Sequence, residues 1–336
     1  MGTPRTARIV VGALLALGSL CSGCTYDPVR RGLAEIYLWK GDRALADRKL
    51  DVALAEFREA VRLDPEHFDA QYKLGMLCKE TGDLEQAADA LQAAVRLNPT
   101  EVKPLFELGE VYRLLNRLAQ AIRAYALACE LDPRNFDLRY RLAMCYHQSG
   151  DLANAVEAYK EAIRLAPDNA YVRSNLGAAL AAQGRDYEAI KAYKESLECN
   201  EGQPIVLVNL ATVYLNQERW EAARMSLKKA IELAPDLSSA HERLGYCLWR
   251  EGAYDAAAKC YQRALECDPK NAAAYAGYGV VLMTQYLDAP EKVELRDQAV
   301  EAWHTSLEYN PDQPKLRELV EKYRPRHERP LLTLDE

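Results

Sequence analysis

The side chains that most often carry chemistry are present but not gathered. His67, His147, His241, His304 and His327 stand far apart along the chain and form no HExxH pair. That pair, on a helix, would set two imidazoles on one face to hold zinc. No GxGxxG, GxxxxGK[ST] or GxSxG occurs, so the phosphate-cradling glycine loops and the nucleophile elbow are missing as well. Cys78, Cys129, Cys145, Cys199, Cys247, Cys260 and Cys267 form no CxxC and no zinc spacing with a histidine. Cys260 and Cys267 would sit roughly 10 Å apart along a helix, beyond disulfide reach. These cysteines read as small hydrophobes between helices, and the histidines as solvated or packed. No catalytic constellation, metal or cofactor follows. The chain is not read as an enzyme, and any catalysis would have to come from a partner.

The elements that could position a binding surface are set by the rest of the composition. The 336 residues are 49% hydrophobic and 28% charged, too apolar for a disordered chain. With 43 Lys and Arg against 50 Asp and Glu, the net charge of −7 argues against a primary nucleic-acid role, which needs a basic face. Length alone would suggest two domains.

Residues 1–23 form a different polymer. Arg5 and Arg8 precede Ile9 to Leu20, a run without charge. As a helix this run is roughly 18 Å long, short of the ~30 Å hydrocarbon core, and it reads as the apolar region of a secretory signal. Leu20-Cys21-Ser22-Gly23-Cys24 resembles the lipobox of bacterial lipoproteins, although Cys21 stands where that family usually has Leu. The resemblance implies a lipid on Cys24, a tether over residues 24–33, and an exported protein at the outer membrane or periplasmic face. Thr25 after the cysteine favours the outer membrane by family analogy. Cleavage without lipid, an uncleaved anchor and a cytoplasmic location are the alternatives. Met1 to Thr6 also fits the loose myristoylation pattern, which would leave the apolar run unexplained. Free thiols are unusual in an oxidising compartment, an objection that burial of the cysteines blunts.

Beyond this leader one period repeats. Aligned at a spacing of 34, units begin at Ala34, Phe68, Val102, Phe136, Ala170, Pro204, Ser238 and Ala272. Their eighth position is Gly or Ala throughout, as in Gly41, Gly109, Ala143 and Gly279. The twentieth is Ala, as in Ala155 and Ala189, and the twenty-seventh is Ala or Ser. A large residue fills the twenty-fourth, as in Phe57, Tyr125 and Trp303, and proline closes most units. Apolar residues at helical spacing fill two stretches per unit, with turn signals such as Gly82-Asp83 between them. Two antiparallel helices of about 13 residues therefore form each unit, packed closely through the small residues. Proline ends the second helix because it cannot continue the hydrogen-bond ladder.

This pattern resembles the tetratricopeptide repeat. The resemblance implies an all-α, right-handed solenoid of eight helix-turn-helix repeats, continuous and stabilised by nearest-neighbour stacking. The repeats are 34–67, 68–101, 102–135, 136–169, 170–203, 204–237, 238–271 and 272–313. The first has Lys40 where Leu is expected and Ala44 in place of an aromatic, as suits an end unit facing water. The fifth has its proline displaced to Pro204, which predicts a looser joint. The eighth holds extra residues between its helices, around Leu287 to Glu291. A capping helix is expected over 313–323, from Leu316, Leu319, Val320 and Tyr323, and a disordered tail over 324–336.

In such arrays the first helix of each repeat lines the concave face through unit positions 2, 5, 6, 9, 12 and 13. Units two to four place Tyr72, Phe106 and Tyr140 there, beside Arg141, Lys73, Lys79 and Arg113 and interleaved acids. Aromatics with mixed charge suit a protein surface. Units five and six carry no charge at these positions. Ala178, Ala181 and Ala182 should leave a shallow depression bordered by Ile205, Val208 and Leu215, with Thr212 beside it. Asn175 and Asn209 fall in register, and an amide can pair with any peptide backbone. Similar asparagine ladders hold extended peptides in glycosyltransferase and kinesin-light-chain repeats. Tyr and Asn are also common at these positions for packing alone.

The resemblance thus implies a scaffold that binds proteins or extended peptides, anchored by lipid and serving envelope assembly or secretion. A cytosolic adaptor and a substrate-recognition arm for a modifying enzyme are the alternatives. Cys24→Ser should abolish incorporation of radiolabelled palmitate and release the protein from membrane fractions. Retention of both would exclude Cys24 as the anchor.

Overall fold

The computed structural model describes residues 28–324, so the leader with Cys24 and the tail from residue 325 lie outside the described residues. Seventeen helices follow one another with no strand among the described residues. They are α1 (Pro28–Ala46), α2 (Leu50–Leu63), α3 (Phe68–Thr81), α4 (Leu84–Leu97), α5 (Val102–Leu114), α6 (Leu118–Leu131), α7 (Phe136–Gln148) and α8 (Leu152–Leu165). Then come α9 (Ala170–Ala182), α10 (Asp186–Cys199), α11 (Pro204–Asn216), α12 (Trp220–Leu233), α13 (Ser238–Arg250), α14 (Tyr254–Cys267), α15 (Ala272–Asp288), α16 (Val293–Tyr309) and α17 (Pro314–Tyr323). Odd-numbered helices up to α15 are the first, or A, helices of eight α-solenoid repeats, and the even-numbered ones are the B helices.

The chain divides between Pro167 and Asp168 into two compact bodies of four repeats each. In both, the closest packing is between the A and B helices of one repeat, followed by each B helix against the next A helix. The contact that sets the A–B distance pairs positions 8 and 24. A Cβ built on Gly109 would lie 2.7 Å from the Tyr125 ring, and one on Gly279 would lie 2.4 Å from Trp303. The alanines at positions 20 and 27 around these rings are fully buried, among them Ala121, Ala155, Ala189 and Ala257.

The turns between A and B helices share one geometry. Gly82, Gly150, Gly184 and Gly252 have positive φ at unit position 15, and Arg48, Asn116 and Glu218 adopt it at the same position. Short side chains cap several helix starts: Asp83 accepts from the Gln86 N–H and Asp151 from the Asn154 N–H. Each satisfies one of the amides a helix start leaves without an intrahelical partner.

Three details differ from the sequence reading. α1 begins at Pro28, so residues 28–33 are helical and not a tether. The extra residues of the eighth repeat form no loop. They lengthen α15 and α16 to 17 residues each, against 13 and 14 in α13 and α14. The displaced proline of the fifth repeat does not leave its joint loose. Pro204 opens α11, and the buried Gln203 amide donates to the Ser196 carbonyl and Oγ and to the Asn200 carbonyl. Gln313 repeats this clamp on Ser306 and Asn310 ahead of Pro314. α17 then covers the last repeat, burying Leu316 and Val320 against Leu282, Met283 and Trp303.

Ala155→Leu and Ala189→Leu should each overpack one A–B joint and destabilise it by roughly 1–3 kcal/mol. Because stability in a repeat array sums over neighbours, hydrogen exchange should quicken first in the mutated body. Equal loss of protection in both bodies for both variants would count against this architecture.

Candidate functional site

Within each body the A helices also touch one another, α3 with α5 in the first, and α9 with α11, α11 with α13 and α13 with α15 in the second. Their free sides make a continuous surface in each body. The two surfaces differ in how their polar groups are used.

In the first body the charges are largely paired between neighbouring A helices. Lys73 of α3 donates to both carboxylate oxygens of Asp42 on α1, at 2.7 Å. Lys79 pairs with Glu107 of α5. Glu110 is the most heavily engaged: Arg113 donates to it at 2.9 Å, Arg141 of α7 lies 3.5 Å away, and the Tyr125 hydroxyl also donates to it. Burial alone would raise the Glu110 pKa, but the hydrogen bonds from Arg113 and Tyr125 and the charge of Arg141 hold it below the ordinary carboxylate value. Burial and the same carboxylate keep the Tyr125 phenol protonated far beyond its usual range. Arg141, expected to meet a partner, is therefore already committed to a neighbouring repeat.

The expected aromatics of this body are half-buried and double as packing. Tyr72 stacks on Phe68 at 6.2 Å between centroids, and Phe106 meets Tyr125 edge-on at 6.0 Å. Tyr140 packs against Phe136 and, at 6.3 Å, Tyr159. His147 sets its ring edge-on to Tyr159, with burial lowering its pKa, as a packed histidine does.

In the second body α9 and α11 present the uncharged stretch. Tyr171 and Ile205, at the first turn of each helix, are 67% and 62% exposed. Asn175 and Asn209 follow one turn later, both half-buried, with Ala178 half-buried and Ala182 exposed beyond them. Val208 and Leu215 do not border a depression as expected: they are 4% and 8% exposed, withdrawn between helices. The reason is the extra apolar content of α11, PIVLVNLATVYLN, which buries more than one stripe. The Thr212 hydroxyl donates at 2.8 Å to the Val208 carbonyl of its own helix, and Ser174 does likewise to Tyr171. What remains toward solvent is two exposed apolar side chains and an in-register amide pair.

Nothing in either body gathers groups for catalysis or metal binding. Among the described residues no cluster of three His, Cys, Asp or Glu could hold a metal ion. Cys78, Cys129, Cys145 and Cys247 are buried free thiols, pushed up to about 11 by desolvation, while Cys199 is exposed. No described helix is long and apolar enough to cross a membrane.

The comparisons agree with this architecture. The family model for the Cilia and flagella-associated protein 70 C-terminal domain, a tetratricopeptide-repeat model, matches residues 45–276, and a Tetratricopeptide repeat model matches 260–302. The chain belongs to the tetratricopeptide-repeat family. Among curated proteins no match is found. A solved tetratricopeptide repeat protein from Parabacteroides merdae is 17% identical with a TM-score of 0.60, over 76% of this chain and 98% of that one. A chain of the APC/C hetero-tetramer Cut9-Hcn1 is 18% identical with a TM-score of 0.57, over 95% of this chain and 59% of that one. The pilF protein of Pseudomonas aeruginosa is 22% identical with a TM-score of 0.54, over 66% of this chain and 97% of that one. At these identities the likeness is one of fold.

The Glu110 network escaped the sequence reading because its members come from three helices. A periodic signal was available: a cation at position 6 of one repeat faces an acid at position 9 of the repeat before, as Lys73 faces Asp42 and Arg141 faces Glu110. Glu110→Gln should destabilise the first body by about 1–3 kcal/mol near neutral pH, since two guanidinium groups lose a charged acceptor. A depressed folded pKa means this stability is present above the unfolded value and disappears as pH falls through the folded one. The gap between wild type and variant in urea melts should therefore close in acid. A gap that persists there would assign the loss to packing.

Proposed function

We propose that this protein is a non-catalytic scaffold that holds a partner protein or extended peptide on the A-helix surface of its second body. The observation that carries the reading is the uncharged strip on α9 and α11, with Asn175 and Asn209 in register and Tyr171 and Ile205 exposed at its edge. A paired amide ladder can take the donors and acceptors of an extended backbone whatever its side chains, and exposed aromatic and aliphatic residues supply apolar anchorage. The first body suits the role of a rigid support, because its charges are satisfied internally. We further propose that Cys24 carries a lipid and that the scaffold serves an envelope assembly or secretion machine at the membrane surface. The lipobox-like Leu20 to Cys24 supports that placement. The unpaired thiols favour a second reading, a cytosolic adaptor or substrate-recognition arm. Palmitate labelling separates the two.

Extended peptides selected from a displayed random library on the wild-type protein provide the test. Asn175→Ala with Asn209→Ala should weaken their binding by about 1–2 kcal/mol with helicity unchanged, the amount expected for two backbone-directed hydrogen bonds. Unchanged affinity in that variant, with loss instead on Tyr72→Ala or Phe106→Ala, would move the site to the first body.

A further inference from the structure

The first helix carries a face that an end helix of a solenoid normally does not. Terminal repeats keep their outer side polar. α1 buries Ala34, Leu38, Gly41 and Ala44 against its own repeat. On the opposite side Ile36 is 42% exposed and Trp39, one turn on, 60%. Two cations accompany them: the Arg43 guanidinium lies 5.7 Å from the Trp39 ring centre and the Lys40 ammonium 4.6 Å from that of Tyr37. The acids of the same helix are drawn away to α3 and its start. Glu35 lies 3.0 Å from His67 Nε2, and Asp42 is held by Lys73 at 2.7 Å. The outward face is therefore apolar, aromatic and positively charged, in a protein whose net charge is −7.

From this we infer that the Ile36–Trp39–Lys40–Arg43 face of α1 docks on an anionic lipid bilayer. The inference rests on the reading that Cys24 is the membrane anchor. Pro28 opens α1 only four residues after Cys24, and those residues span at most about 14 Å. A lipid at Cys24 would hold α1 within reach of the headgroups at all times. Tryptophan belongs at the membrane–water interface, and Lys and Arg are attracted to anionic headgroups. A lipid chain acting alone anchors weakly and gains from a second, surface-level contact. Together these terms would fix the angle at which the repeats leave the membrane, not merely their distance from it.

A chain beginning at Thr25 keeps every described helix and removes both the lipid site and the apolar leader, so it tests the face by itself. It should co-sediment with phosphatidylcholine vesicles containing phosphatidylglycerol, and less with phosphatidylcholine alone. Ile36→Ser with Trp39→Ser should lower the partition coefficient about tenfold with the circular dichroism unchanged. Lys40→Glu with Arg43→Glu should remove the preference for the anionic vesicles. No vesicle binding by the parent chain, or equal binding by both variants, would overturn the inference. So would sedimentation showing that the face holds two copies together, with dimerisation and not vesicle binding lost in the serine variant. Failure of the lipid reading would appear separately, as absence of palmitate from the full chain.

Discussion

The structure depends on how closely two helix backbones can approach within one repeat. At position 8 the side chain must be absent or a single methyl, because the ring at position 24 occupies the space a longer one would need. Gly109 against Tyr125 and Gly177 against Tyr193 show how little room is left, since a Cβ at either would sit 2.7 Å from the ring. Alanines at positions 20 and 27 complete the seat, and interiors packed to this density tolerate neither a void nor an added methylene. Everything else in a repeat is arranged around this contact. The B helix spends its apolar stripe on it and on the next A helix, and the far side of the A helix is left for other uses.

Those other uses diverge between the two bodies. In the first, the free side of the A helices is stitched from repeat to repeat by Lys73 with Asp42, Lys79 with Glu107, and Arg113 and Arg141 with Glu110. Glu110 is mostly buried, so its charge is tolerable only because three donors surround it. In the second, the corresponding positions on α9 and α11 hold amides, alanines and exposed apolar residues. A surface whose charges already have partners offers a ligand little. A surface with in-register amides leaves hydrogen-bonding directions to be matched. The difference in available chemistry, with the same backbone beneath, is what assigns support to one body and recognition to the other.

The joints between repeats show the same economy. Where the usual Asp-Pro or Asn-Pro closure is replaced, a buried glutamine takes over. Gln203 and Gln313 each bind back to a serine at position 27 and to an asparagine carbonyl. The signature Ser-Leu-Glu-x-Asn-x-x-Gln-Pro, at 196–204 and again at 306–314, was present in the chain all along. Its meaning needed the fold, because the serine hydroxyls also donate across the repeat to the Ala170 and Ala272 carbonyls.

By itself the sequence determined the helical class, the eight-fold period, the A–B pairing and the capping helix. Each of these follows from local spacing: apolar residues a turn apart, a small residue opposite a large one, a proline where a ladder must stop. It also placed Asn175 and Asn209 at one register, since two positions separated by a whole period face the same way. Exposure was decided only by tertiary structure. Val208 and Leu215 share the groove register, yet α11 is apolar on several sides and neighbouring helices close over them. Arg141 reads as a free cation until Glu110 of the preceding repeat is brought beside it. The extra residues of the eighth repeat read as a loop until both helices are seen to run on through them. Periodicity reports what one helix turn sees of the next, whereas exposure depends on contacts between repeats, whose partners lie some thirty residues apart and are brought together only by folding.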